Sequence, residues 1–349
     1  EAWEASKTVG ATVADDVREL ARLRNELARS LGNRDWFAFS LDVSEMSEER
    51  LFETLGACDA ATAELFRRWK GELDERLAGR FGVETDELRP GHYADPFFQD
   101  VPPEGGVDLD PRFADRDVIE LARSTFAGMG LPTDAVLARS DLFPREGKCQ
   151  HAFCLDVDRS GDVRVLANVR NDANWADTML HELGHAVYDL GFSQELPWLL
   201  RDCHLTITEG IAIMMGALSR DPEWLREVAG FELDDGSALL QAHAADALVF
   251  TRWVLVMTHF ERELYANPDA DLDAIWWQLV ERFQHVTPPD GRSAPDWAAK
   301  IHIASAPVYY HTYLYGHLVA AQLRAAIRRE VGGFVGAPAT GTFLRERVF

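Results

Sequence analysis

Apolar residues recur at three- and four-residue spacing through much of the chain, the mark of amphipathic helices. Val13, Val17, Leu20, Leu23, Leu27 and Leu31 form one such stripe, and Gly32 ends it. The same periodicity predicts helices over 115–128, 172–190, 237–265, 271–285 and 307–330, the last closed by Gly332-Gly333. Asn171 or Asp172 stands where the helix 172–190 needs an N-cap. One stretch reads differently. His151-Ala-Phe-Cys-Leu-Asp-Val157 and Asp162-Val-Arg-Val-Leu-Ala-Asn-Val169 are β-prone runs around Asp158-Arg-Ser-Gly161, which predicts a hairpin. The expected architecture is mainly α, with one small β-hairpin directly before the helix 172–190. No Ser/Gly- or Pro-rich linker and no internal repeat divides the chain, so a single domain over residues 1–349 is expected.

Composition narrows the classes. A chain of 349 residues, 47% of them hydrophobic, can bury a sizeable core. Its apolar stretches are broken by charge well before the ~18 residues a membrane helix needs, so no membrane partner is expected. The formal net charge is −23 with no basic block, which argues against nucleic acid and anionic membranes. It reads first as a solvated surface, and beyond that as a field attractive to cationic peptides. Cys58, Cys149, Cys154 and Cys203 include no CxxC pair, and in a chain this long they suggest no disulfide framework. A reducing, cytoplasmic compartment and a monomer are the expectations. The opening Glu1-Ala-Trp reads as a helix interior, so a fragment or processed chain is expected.

The chemistry concentrates at His181-Glu-Leu-Gly-His185. On a helix, residues four apart share a face, so both imidazoles can reach one ion, and Glu182 can take a proton from an attacking water. Twenty-four residues after His185, Thr208-Glu-Gly210 heads the apolar run Ile211-Ala-Ile-Met-Met215. A carboxylate entering a buried helix needs a partner, and a zinc ion held with two histidines supplies one. The hairpin before this helix offers an edge strand to an extended peptide. Further on stand Lys300, His302, Tyr310 and Tyr313, polar groups suited to oxyanion and carboxylate binding. Taken singly, Lys300 reads as a solvated lysine and the tyrosines as core aromatics. Trp276 and Trp277 read as core anchors, His204 and His259 as structural or surface residues, and Cys149 and Cys154 as packed thiols.

Together, Cys149-Gln-His-Ala152, His181-Glu-Leu-Gly-His185, Thr208-Glu-Gly210, Trp276-Trp277, Pro288-Pro289 and Lys300-Ile-His-Ile303 resemble the angiotensin-converting enzyme family of gluzincin peptidases, most closely its bacterial members. The similarity runs from Glu1-Ala-Trp to the last helix. It implies an elongated, mostly helical body split by a deep channel, with one zinc ion per chain. It also implies release of dipeptides from the C-termini of short peptides. By that resemblance His181, His185 and Glu209 hold zinc, and Glu182 is the general base. His302 is the proton donor and touches the substrate carbonyl, and Tyr313 stabilises the oxyanion. Lys300 and Tyr310 grip the terminal carboxylate, and His151 with the strand from Ala152 binds the peptide backbone.

The departures from the pattern are specific. One extra residue follows His302, so Tyr309 competes with Tyr310. The family's carboxylate-binding Gln falls near Pro111 or Arg112, where none stands. The chloride-binding arginines appear as Val280 and Thr312, so chloride is not expected. The Asp that orients a zinc histidine appears as Ile213. The Cys that the animal enzymes bridge to Cys149 would fall near Asn168. Family members carry further helices roofing the channel before the point where this chain begins, so N-terminal lid helices are expected to be missing. Two other readings stay open: endopeptidase specificity as in thimet-type oligopeptidases, and a non-catalytic peptide-binding homologue.

Overall fold

The computed structural model describes residues 1–102, 108–201, 204–233 and 236–349, so the expectation for Cys203 lies outside the described residues. The protein is mostly helical, with one two-stranded antiparallel sheet. Helices α1 (Ala2–Ser30), α2 (Trp36–Val43) and α3 (Glu48–Phe81) come first. Then follow α4 (Asp110–Phe113), α5 (Val118–Gly128) and α6 (Asp134–Arg139), the strands β1 (Phe153–Asp156) and β2 (Val163–Leu166), and helices α7 (Ala173–Asp189), α8 (Leu205–Gly216) and α9 (Pro222–Glu227). The remainder is α10 (Gly236–Ala266), α11 (Leu272–Gln284), α12 (Ile301–Ser305), α13 (Tyr310–Val331) and α14 (Pro338–Arg347). No helix among the described residues is long and apolar enough to cross a membrane.

Local chemistry sets the helix ends. Asp35, Asp172 and Asp271 each accept a hydrogen bond from the amide three residues on, at 2.8, 2.8 and 3.1 Å, satisfying donors that the first helical turn leaves free. Gly82, at φ 68°, closes α3 in the left-handed conformation that costs glycine nothing.

The chain divides into two compact units: Glu1–Gly106 with Leu240–His311, and Val107–Leu239 with Thr312–Phe349. In the first, α1 presents Gly10, Ala14, Val17, Ala21, Asn25 and Ala28 to the interior, while Leu23, Leu27 and Leu31 stay exposed. Of the apolar stripe expected from the sequence, Val17 is buried and Val13 and Leu20 half-buried, while its C-terminal leucines turn outward. At Gly10 the approach is closest: a Cβ there would collide with the Pro295 carbonyl oxygen. Trp253, Phe260, Tyr265 and Trp297 fill the core beneath. Trp276 and Trp277 are buried, as expected, and His259 sits between the rings of Phe52 and Phe283.

The second unit holds the hairpin, with Phe153 opposite Leu166 and Asp156 opposite Val163. The strands are shorter than the β-prone runs. Val163, Val165 and Ala167 join Met179, Leu180 and Leu183 of α7 in one apolar core. Cys149, expected as a packed thiol, is exposed, and Cys154 is half-buried; neither is in a disulfide. The Asn168 side-chain amide donates to the Cys149 carbonyl at 2.9 Å, so a hydrogen bond rather than sulfur ties these positions.

Two glycine substitutions test this packing. Gly10→Ala forces α1 away from Pro295 and should cost about 1–3 kcal/mol in denaturant unfolding. Gly56→Ala, in the interior of α3 with nothing within 4 Å, should stabilise by about 0.5–1 kcal/mol.

Candidate metal centre

Asp172 starts α7, and the helix carries His181 and His185 one turn apart on the same side. Their Nε2 atoms lie 3.2 Å apart. Glu209 arrives on α8, whose N-cap is His204, accepting from the Thr206 amide at 3.2 Å. Glu209 Oε2 stands 3.7 Å from His181 Nε2, and one ligand atom from each of the three residues falls within 4.8 Å of the others. The meeting depends on Gly184, inside the motif. A Cβ there would sit 2.9 Å from Ala212 Cα and 3.2 Å from Met215 Cβ, so a larger residue would hold α8 away.

The donor set fits zinc. Ligands about 2.0–2.1 Å from one ion in tetrahedral array are themselves about 3.3 Å apart, close to the spacing of the two imidazole nitrogens. His185 is half-buried by exposure but its ring is largely shielded from water, and that desolvation, with the neighbouring His181 charge, lowers its pKa to about 3. It therefore presents the neutral imidazole that a metal requires. Thr208 Oγ1 lies 2.6 Å from His185 Nδ1. With the proton on Nδ1 donated to that hydroxyl, Nε2 keeps its lone pair for the metal. The sequence reading found the orienting Asp replaced by Ile213 and assigned nothing in its place. The residue beside Glu209 fills that position, and only the packing of α7 on α8 reveals it.

Glu182, between the two histidines in sequence, is buried, and burial, opposed by His181 and reinforced by Glu209, raises its pKa to about 7. A dication nearby pulls such a carboxyl back toward ionisation, the state a base needs. A third helix closes on the triad. Gly316 of α13 packs where a Cβ would come 3.1 Å from Glu209 Cβ, and Gly210 packs where a Cβ would meet the Val319 side chain. Tyr313, half-buried, lies three residues before Gly316 on that helix. His151 is exposed and Ala152 half-buried, immediately before β1. On its far side β2 bridges Asp141, so β1 is the free edge of the sheet among the described residues.

The first unit gathers the other expected residues. Lys300 is buried and donates to Gln99 Oε1 at 2.6 Å. Its ammonium lies 5.3 Å from the ring centroids of Phe97 and Trp253 and 5.6 Å from that of Tyr310. Tyr310 is buried, edge-on to Trp253 and 5.0 Å from the His302 ring. So Tyr310 is the tyrosine beside Lys300 and His302. No glutamine stands near Pro111; the glutamine beside Lys300 is Gln99, earlier in the chain. Asp95 holds it by accepting from the amides of Phe97 and Gln99 at 2.9 and 3.0 Å. A single Gln after an aromatic pair carries no periodic signal, which is why the sequence did not reveal it.

Residues 137–347 match the model of peptidase family M3. The chain is similar to an angiotensin-converting enzyme-related protein of Drosophila melanogaster, 26% identical over 57% of this chain and 32% of that protein. It is also similar to the angiotensin-converting enzymes of Haematobia irritans exigua, 25% identical over 53% of this chain and 32% of the relative, and of Rattus norvegicus, 23% over 54% and 15%. The chain thus spans about a third or less of the length of these curated relatives.

Metal analysis of protein purified without chelator should find about one zinc per chain, and His185→Ala should abolish it. Thr208→Val, removing only the hydroxyl beside Nδ1, should weaken zinc binding by about 10–100-fold in chelator competition. Unchanged affinity in that variant would refute the orienting role.

Proposed function

The chain belongs to peptidase family M3, and on that premise we propose that it is a zinc metallopeptidase that hydrolyses short peptides and releases dipeptides from their C-termini. The observation that carries this reading is the convergence of His181, His185 and Glu209 around one point, with the buried carboxyl of Glu182 between the histidines. His181, His185 and Glu209 hold the zinc. When bound, the metal polarises the scissile carbonyl and lowers the pKa of the attacking water. Glu182 takes the water's proton and passes it to the departing amide nitrogen. Tyr313 donates from its neutral phenol to the oxygen where negative charge develops, and His302, the proton donor that the resemblance implies, donates a hydrogen bond to the substrate carbonyl. The extended peptide pairs with the free edge beginning at Ala152, beside His151.

Specificity rests on Lys300. Its ammonium is paired with an amide oxygen rather than a carboxylate, which leaves its charge for an anionic ligand. Gln99 and Tyr310 complete a cluster suited to a terminal carboxylate. Val280 and Thr312 offer chloride no guanidinium, so activity independent of chloride is part of the proposal.

Glu182→Gln should keep zinc and lose about a thousandfold or more of kcat, measured with a quenched fluorescent peptide. Near-normal turnover with full zinc would remove Glu182 from the mechanism.

Amidating the substrate's C-terminus should lower kcat/KM by about ten- to a hundredfold, and Lys300→Met should produce that loss on the free acid but not on the amide. Burial lowers the Lys300 pKa to about 8, with Asp95 and Asp100 opposing, so the lysine is charged below that pH and neutral above it. The ratio of acid to amide cleavage should therefore fall as pH rises through about 8, and stay flat in Lys300→Met. Equal cleavage of acid and amide by the wild type would point to internal cleavage instead.

A further inference from the structure

His302 stands in the first turn of the short helix α12, which ends at Ser305, and Tyr310 opens α13, so residues 306–309 form the turn that sets one against the other. Val308, in that turn, is buried at φ 56°. A β-branched residue resists the left-handed region, so the conformation persists only where surrounding groups impose it. The Val308 amide donates to Glu261 Oε1 at 2.6 Å. Glu261 stands on α10, fully buried. The other flank of the turn is held from α1: Arg24 donates to the Ala304 carbonyl at 2.7 Å and to the Tyr265 hydroxyl at 3.1 Å. Asn25, next to it, donates to the Tyr265 carbonyl at 2.8 Å and so ties α1 to α10 at the same level.

We propose that Glu261 is a positioning residue for the hydrolysis: by holding the Val308 amide it sets the placement of His302 and Tyr310. The inference rests on the functional reading given above for those two residues. Nothing in the zinc motif requires a buried carboxyl on α10, and a helix this apolar does not retain an acid for packing. Its use is as an acceptor at a turn whose backbone resists its own conformation. The charged and titratable groups facing it are Arg24 from α1, Tyr265 from its own helix and Tyr310 from α13, with the Val308 amide from the turn. Burial raises the Glu261 pKa to about 8 against the pull of that amide and of Arg24. Near neutral pH the group is a neutral acid, and glutamine reproduces its shape and its acceptor.

The experiment compares Glu261→Gln with Glu261→Leu, reading zinc content, kcat, KM and amide hydrogen exchange over residues 301–310. Glu261→Gln should keep kcat within about twofold and keep the Val308 amide protected, since the acceptor survives. Glu261→Leu should retain zinc, expose the Val308 amide to exchange, and lower kcat by about tenfold or more, the scale of misplacing a catalytic group by a fraction of an ångström to one ångström. If Glu261→Leu does not fold, Arg24→Met, which releases the other flank, should give the same loss of kcat with zinc intact. Wild-type kcat in a folded Glu261→Leu or Arg24→Met with an exposed turn would overturn the proposal. So would equal losses in Glu261→Gln and Glu261→Leu, which mean general destabilisation. His302→Ala is run in parallel: full activity there sinks the functional reading and this proposal with it, whereas loss there beside an active Glu261→Leu sinks this proposal alone.

Discussion

The closeness of α7 to α8 is the constraint on which the metal centre depends. One helix can aim two imidazoles at a point, but the third ligand must come from elsewhere in the chain, and carboxylate and imidazole reach only a few ångströms beyond their backbones. Gly184 allows that approach, because any side chain there would meet Ala212. Gly210 and Gly316 extend the same device to α13, so three helices meet with little but backbone and short side chains between them. Met179, Leu180, Leu183, Ile211, Met214 and Met215 are buried around them. Each such side chain contributes about 1.5–3 kcal/mol on full burial, which offsets the several kcal/mol of desolvation for Glu182 and Glu209. The glycines that reduce local helix propensity thus permit the packing that sustains two buried acids.

The first unit treats buried charge in two ways. Lys70 is held by Asp74 and the Tyr93 hydroxyl at 2.8 Å, a closed arrangement that leaves the ammonium matched by a carboxylate. Lys300, equally buried, is matched by an amide oxygen and the faces of three rings. Among the described residues no carboxylate lies within ion-pair distance of it. The first arrangement is what a structural lysine needs. The second keeps a cation out of water with its charge only partly offset, by Asp95 and Asp100 from beyond ion-pair distance, a costly state for stability and a useful one for binding an anion. Phe97 carries a further ammonium, that of buried Lys7, 3.1 Å from its ring centroid. Burial brings Lys7 to about 7 and Lys300 to about 8, so titrating groups near neutrality are a property of this packing rather than of the residue types.

Where sequence reading succeeded and where it failed follows from the range of the interactions. The helix around His181, its Asp172 cap and the hairpin before it all rest on residues a few positions apart, and they are where periodicity and turn chemistry put them. The C-terminal half of α1 did not follow its leucines, and at Gly10 the helix meets Pro295, some 285 positions along the chain, a contact no local pattern announces. Cys149 was expected inside because cysteines usually are, yet the loop before β1 leaves it exposed. Tyr309 and Tyr310 were indistinguishable by spacing, since one inserted residue shifts both. Packing against Trp253 and His302 separates them.

By itself the sequence determined the class of the fold and picked out the three residues that the structure brings together as a candidate metal site, because HExxH is a local motif whose geometry a helix supplies. It also marked Glu209, since an acid at the head of an apolar helix demands a partner. Three relations were decided only by the tertiary structure. Thr208 lies against His185, Gln99 against Lys300, and Glu261 beneath Val308. Each is a hydrogen bond between residues 23, 201 and 47 positions apart respectively. No periodicity links such pairs: a lone Thr, Gln or Glu has the same local pattern whether it faces water or holds a buried group, and only the packed backbone brings its partner within reach.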